Sequence, residues 1–250
     1  MRFYNALRLA AQALLFPQRC VLCEKWVLQD DFSPLCTPCL ENLESFALPL
    51  CQQCGTLLPG NFDDRHATCA RCREHRFQFD YARASGPYQG RLRDLIRLYK
   101  FDGHRRLAGP LGRRLIETFR AVEISFEPDW IVPVPLHRRR QLERGFDQTL
   151  LLAELLSGEL SVPVFSGIRR VRDTKPQFGL DMDERRRNLK NAFALQRDDW
   201  KSGSSLLIVD DVMTTGTTVD ELSRCFRTEK ADVQILVLTI ARVPVLGYWA

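Results

Sequence analysis

Apolar positions in this chain are spaced in two ways. Leu206, Leu207, Ile208 and Val209 form an unbroken apolar run, and residues 233–240 form a longer one interrupted only by Gln234 and Thr239. Runs of this kind suit strands of a parallel sheet buried on both faces. Residues 130–135 read as another buried strand, which Pro133 and Pro135 force out of the sheet because neither can donate to a ladder. Residues 77–85 are read as a first strand or a linker, and 162–165 as a short strand. The second spacing is helical. Leu92, Leu95, Ile96 and Leu98 recur at helical intervals within residues 88–99. Residues 106–120, 149–156 and 218–227 continue as helices. Residues 1–16 resemble a short amphipathic helix, with Phe3, Leu7, Ala11, Leu14 and Leu15 on its apolar side. Strands alternating with helices predict an α/β fold, a mainly parallel sheet with helices on both faces.

The first 76 residues break this pattern. Eight of the nine cysteines stand there as four CxxC pairs: Cys20 and Cys23, Cys36 and Cys39, Cys51 and Cys54, Cys69 and Cys72. The gaps between pairs are 12, 11 and 14 residues, long enough for a hairpin or a loop. Each CxxC turn lets two thiolates reach one tetrahedral ion, and two turns complete a four-sulfur site. One or two structural zinc ions are expected. Sequential pairing is simplest, and spacing alone leaves an interleaved pairing open. A four-thiolate site has no place for water or substrate, so the metal is not catalytic. The chain therefore divides into a small zinc-ribbon-like module over 1–76 and an α/β body over 77–250.

Composition narrows the class only a little. With 45% hydrophobic and 27% charged residues, the 250-residue chain is globular. The formal charge of +5 permits contact with nucleic acid or a polyphosphate without requiring it. No stretch reaches the roughly 20 apolar residues of a membrane span. Pro17, Arg19 and Cys20 follow the first apolar stretch where an export signal would have small residues. The expected address is cytoplasmic, with peripheral contact at the inner face of the membrane as the alternative.

The strongest chemical signal follows the 206–209 run. Asp210 and Asp211 come at its C-terminal end, the edge where open α/β sheets bind ligands. Thr214, Thr215, Gly216, Thr217 and Thr218 then lead into a helix. Their amides and hydroxyls suit a phosphate, aided by the helix N-terminus. Gly216 allows close approach. The paired acids suit the vicinal diol of a sugar or a hydrated Mg2+. Arg138, Arg139, Arg140 and Arg144 face one acid, Glu143, in a dense basic loop suited to a diphosphate. Residues 168–190 hold eight Arg or Lys and four Asp or Glu, and read as a segment that an anion orders.

Residues 208–218 resemble the PRPP-binding motif of type I phosphoribosyltransferases. The whole chain resembles the ComF/GntX group of competence-associated, phosphoribosyltransferase-like proteins. That likeness rests on the cysteine module, residues 99–103, 132–140, 144–148 (Arg-Gly-Phe-Asp-Gln), 174–177 and 187–193. It implies a type I phosphoribosyltransferase-like fold in which Asp210 and Asp211 contact the ribose hydroxyls and residues 214–218 hold the 5′-phosphate. Lys100, Leu136, His137, Arg138, Arg139 and Arg140 would surround the pyrophosphate. Arg169, Lys175, Gln177, Arg187 and Asn188 would belong to a loop closing over PRPP, with Lys175 joining Asp210 and Asp211 in catalysis. PRPP would arrive with Mg2+, and pyrophosphate would leave C1 of the ribose. The resemblance also implies a role in DNA uptake or DNA use, with single-stranded DNA and competence proteins (a helicase or a recombination mediator) as partners. The acceptor is not legible, because no residue stands out as its general base. A PRPP-sensing module without transfer and a single-stranded DNA-binding protein are the alternative readings.

Overall fold

The structure is a computed structural model that describes residues 18–27, 33–46, 49–58, 67–172, 182–197 and 200–244. The expected helix over 1–16 lies outside these residues, as do Lys175 and Gln177. The cysteine-rich part begins with β1 (Gln18–Arg19) paired antiparallel to β2 (Trp26–Val27), followed by α1 (Thr37–Glu41) and α2 (Ala70–Glu74). The body then runs β3 (Tyr81–Ala84), α3 (Gly90–Phe101), a 3-10 turn (Arg105–Leu107), α4 (Ala108–Arg120), β4 (Trp130–Pro133), α5 (Arg138–Arg144) and α6 (Gln148–Leu160). It continues with β5 (Ile168–Arg170), α7 (Met182–Leu189), β6 (Phe193–Leu195), β7 (Ser205–Met213), α8 (Thr217–Glu229) and β8 (Gln234–Arg242). No helix among the described residues is long and apolar enough to cross a membrane.

The four body strands form one sheet in the order β3-β8-β7-β4, and every neighbouring pair is parallel. Side chains alternate across such a sheet. Leu207, Val209, Leu236 and Leu238 therefore share one apolar core with Leu95 and Ile96 of α3, Leu111 and Leu115 of α4, and Leu152 and Leu156 of α6. Leu206, Ile208, Ile235 and Val237 face the other way, into a second core with Leu222 and Phe226 of α8 and with Trp200. The cysteine pairs divide between the same two cores. Cys20 and Cys39 pack with the first, and Cys51, Cys54 and Cys69 with the second.

Several expectations need correcting. The strand expected over 206–209 runs from 205 to 213 and so contains both acids. Its neighbours explain the difference. β4 stops at Pro133, opposite Val209, because proline cannot continue the ladder, whereas β8 stays paired as far as Met213↔Arg242. The basic loop is a helix, α5, with no buried residue, ended by Gly145 in the left-handed region. The 162–165 strand reduces to one bridge, Ile131↔Val164. The charged segment after Arg169 includes β5, which pairs antiparallel with β6, and the helix α7.

Candidate functional site

A cavity of about 250 Å3 opens at the C-terminal edge of β7, between α3, α5, α6 and the loop before α8. Asp210 and Asp211 both line it, but the strand treats them differently. Successive strand residues point to opposite faces, so Asp211 turns toward α3 and α6. There the Lys100 ammonium lies 2.8 Å from Asp211 Oδ1, and Gln148 Nε2 donates to Oδ2 at 3.0 Å. Burial works to raise the Asp211 carboxyl, but the Lys100 charge and these two bonds overcome it and hold the group below the usual carboxylate range. Among the described residues, Asp210 has no such side-chain partner. Its Oδ1 accepts from the Asp211 amide at 2.8 Å. Burial, then the Asp211 charge, push its carboxyl up to about 8, against the pull of Lys100. The pair is thus one pinned carboxylate beside one group that holds its proton near neutrality.

Beyond the acids, residues 214–216 turn the chain into α8. Gly216 is the N-cap at φ 80°, and a Cβ there would lie 2.7 Å from Met213 Cε. Only glycine fits this turn without strain. Thr214, Gly216 and Thr218 line the cavity. Thr215 and Thr217 bond to each other through their hydroxyls at 2.8 Å. The Thr215 carbonyl accepts from the guanidinium of Arg71, a residue of α2 that is only 5% exposed. Nothing in the local sequence singles out Arg71 from the other basic residues of the cysteine module. Yet it is buried at the junction between that module and the phosphate-suited loop.

Basic groups close the remaining side. Of the residues expected around a pyrophosphate, Lys100, Leu136 and Arg140 line the cavity. His137, Arg138 and Arg139 do not. His137 Nδ1 accepts from the Arg139 amide at the start of α5, the Arg139 side chain pairs with Glu143 at 3.0 Å, and Arg138 is exposed. Arg170 faces the cavity where Arg169 was expected, and Arg169 is exposed. Period-two alternation in β5 decides between these neighbours, but so short a strand gave no apolar run to reveal it. Arg187 and Asn188 sit in α7, away from the lining. Arg144 and Gln148 both line the cavity. The resemblance had drawn on the segment they bound without giving either of them a role.

The two cysteine sites are paired sequentially. The Sγ atoms of Cys20, Cys23, Cys36 and Cys39 lie within 4.8 Å of one another, as do those of Cys51, Cys54, Cys69 and Cys72. Cys23 and Cys36 are 3.6 Å apart, and Cys51–Cys72 and Cys54–Cys69 are each 3.7 Å apart. Disulfide sulfurs would sit about 2.05 Å apart. Four thiolates around a zinc at about 2.3 Å have tetrahedral edges near 3.8 Å, so both sites fit zinc. A second observation agrees for the later site. Arg242, 1% exposed, places Nη2 3.6 Å from Cys54 Sγ, while its Nε and Nη1 have no hydrogen-bond partner among the described residues. A buried guanidinium needs a counter-charge, and a zinc tetrathiolate, with two net negative charges, provides one.

Comparisons with known proteins agree with this picture. Residues 11–75 match the double zinc ribbon domain. Competence protein F of Haemophilus influenzae is 34% identical over 218 residues, covering 85% of this chain and 92% of that protein. DNA utilization protein YhgH of Escherichia coli K12 is 37% identical over 195 residues, covering 76% of this chain and 83% of that protein. Among solved structures, adenine phosphoribosyltransferase of Saccharomyces cerevisiae overlaps 58% of this chain and 77% of its own, with 18% identity and a TM-score of 0.31, too loose a likeness to carry weight. A double zinc ribbon and more than one-third identity along most of the sequence leave one conclusion: the chain belongs to the family of competence protein F and the DNA utilization proteins.

Proposed function

We propose that the cavity binds PRPP and that the protein uses it in the uptake or use of DNA. The observation that carries this reading is the joining, in one cavity, of the Asp210–Asp211 pair, the loop turned by Gly216 at the head of α8, and the cations Lys100, Arg140, Arg144 and Arg170. A 5′-phosphate suits the amides and hydroxyls around Thr214, Gly216 and Thr218. The ribose diol suits the acid pair. The diphosphate suits the arginines, which can grip its oxygens in bidentate fashion. Magnesium arriving with PRPP would neutralise part of the diphosphate charge. Loss of diphosphate leaves positive character on the ribose, which a carboxylate held ionised at Asp211 offsets. The role in DNA uptake or use follows from the names of the relatives.

The test is calorimetric titration with PRPP and Mg2+, repeated on Asp210→Asn with Asp211→Asn. Binding by the wild type that the double variant loses is expected; absence of wild-type binding sinks the proposal. Pyrophosphate release in the presence of candidate acceptors then separates a transferase from a sensor. A second reading, contact with single-stranded nucleic acid, has its own observation. Phe101 and Leu142 are 66% and 75% exposed beside the cavity, with Arg144 stacked over Phe101 at 5.3 Å and Arg138 and Arg139 turned outward. An exposed aromatic among arginines suits a stacked base and tracked phosphates. Oligonucleotide binding that weakens steeply with salt and falls in Phe101→Ala would support it.

A further inference from the structure

Among the polar groups lining the cavity, Gln148 is unusual. It opens α6, is 2% exposed, and its Oε1 has no hydrogen-bond partner among the described residues. The orientation of the amide is set by chemistry. An ionised carboxylate only accepts hydrogen bonds, so the NH2 must face Asp211, at 3.0 Å, and the carbonyl oxygen is left over. A buried acceptor without a donor is costly, and Gln148 is among the residues lining the cavity that should hold the ligand. Its needs restrict what can sit there. At neutral pH neither the phosphate dianion nor the diphosphate has a proton to spare for a hydrogen bond, so neither satisfies Gln148. A sugar hydroxyl does.

Arg144 supplies the complement. Its Nη1 is a buried donor without a partner on the same cavity, and it suits the anionic diphosphate. With the 5′-phosphate at the Gly216 turn and the diphosphate at the arginines, the hydroxyl beside C1 falls on the Gln148 side. Resting on the PRPP reading, we propose that Gln148 Oε1 accepts from the ribose 2-hydroxyl and makes the cavity select ribose over 2-deoxyribose phosphates. Asp211 takes part indirectly, by fixing the amide so that its oxygen faces the sugar. For a protein whose relatives are named for DNA use, such a preference would exclude the pentose phosphate that DNA breakdown supplies.

Calorimetry with ribose 5-phosphate and 2-deoxyribose 5-phosphate, each without and with Mg2+, tests this directly. Wild-type protein is expected to bind the ribose form about ten-fold tighter or more, the cost of leaving a buried acceptor unpaired. In Gln148→Met the ratio should fall toward one, chiefly through loss of ribose affinity, with zinc content and melting temperature as checks on folding. Equal affinities in the wild type overturn the Gln148 assignment and, with it, the acid pair's hold on the 2-hydroxyl. A variant that weakens both sugars equally and keeps the ratio overturns it too, because Gln148 would then merely support Asp211. If the wild type binds neither sugar phosphate, the PRPP reading falls and takes this proposal with it. If Gln148→Met does not fold, Gln148→Asn, which keeps the amide but shortens its reach, is expected to lower the ratio in the same way, and an unchanged ratio there overturns the assignment.

Discussion

The two zinc ribbons carry the same ligands in similar turns, yet they meet the cavity by different routes. In the first, Cys23 and Cys36 are half-buried; in the second only Cys72 is. The second ribbon touches the binding edge directly. Arg71, next to Cys72, donates to the Thr215 carbonyl, and Arg242 at the end of β8 reaches Cys54. The first ribbon acts at a distance. Glu44 receives the Arg91 and Leu92 amides at 2.9 and 2.8 Å and so caps α3. That helix delivers Lys100 to Asp211 from its last turn, about 15 Å from its start at 1.5 Å per residue. One ribbon braces the phosphate-suited loop; the other braces the acid pair through a helix. A metal site of fixed chemistry thus supports function according to what its flanking residues touch.

The comparison is broken most severely through the cysteines. Cys51→Ser with Cys54→Ser removes two ligands from the site that neutralises Arg242. Binding of a structural zinc is worth about 10–16 kcal/mol in isolated fingers, more than a domain's usual margin of stability. Loss of soluble folded protein is expected, measured by yield and circular dichroism. Cys23→Ser with Cys36→Ser, at the more open site, should leave the sheet folded with one zinc per chain by metal analysis. If both double variants behave alike, the two ribbons are equivalent and the contrast fails.

Next come the acids, where the two routes converge. Asp211→Asn leaves the partly buried Lys100 ammonium without its ion-pair partner, a loss of about 3 kcal/mol, the lower end of the cost of breaking a buried pair, read from denaturant unfolding. Asp210→Asn has the opposite sign. The folded-state carboxyl is raised well above its unfolded value, so its contribution is fully present below the unfolded pKa and is lost as pH rises through about 8. The Asn variant removes that loss. Its melting temperature should therefore come closest to the wild type near pH 4 and exceed it by a growing margin up to about pH 8. A variant less stable than the wild type at pH 9 would mean that Asp210 is the ionised member of the pair.

The apolar pattern made the main sheet strands and most helices legible, because strands buried on both faces leave unbroken apolar runs and amphipathic helices leave a helical spacing. The CxxC turns made the metal sites legible for a similar reason, since their ligands are local. Three features were not readable. The inclusion of Asp210 and Asp211 in β7 depends on where β4 ends, which is a fact about a neighbouring strand. The alternation that selects Arg170 over Arg169 depends on β6, 23 residues further along at Phe193–Leu195. The burial of Arg71 depends on a contact with Thr215, 144 residues away. Local chemistry can be read along the chain, but which of two adjacent charges faces inward is set by residues far off in sequence.

The smallest expected effect tests the longer route. Glu44 is partly exposed, and the two α3 amides hold its carboxyl below the usual range against the upward push of burial. A lowered pKa of this kind contributes stability above the unfolded value and loses it as pH falls through the folded one. Glu44→Ala should therefore cost about 1 kcal/mol at pH 7, the usual worth of a helix cap, and almost nothing once the carboxyl is protonated in acid. Because the cap lies at the far end of α3 from Lys100, the change should act on stability and leave PRPP affinity within about three-fold, since the rigid helix passes on position but little strain. A larger loss of affinity at unchanged zinc content would show that fraying α3 releases Lys100 from Asp211, making the first ribbon as direct a partner of the cavity as the second.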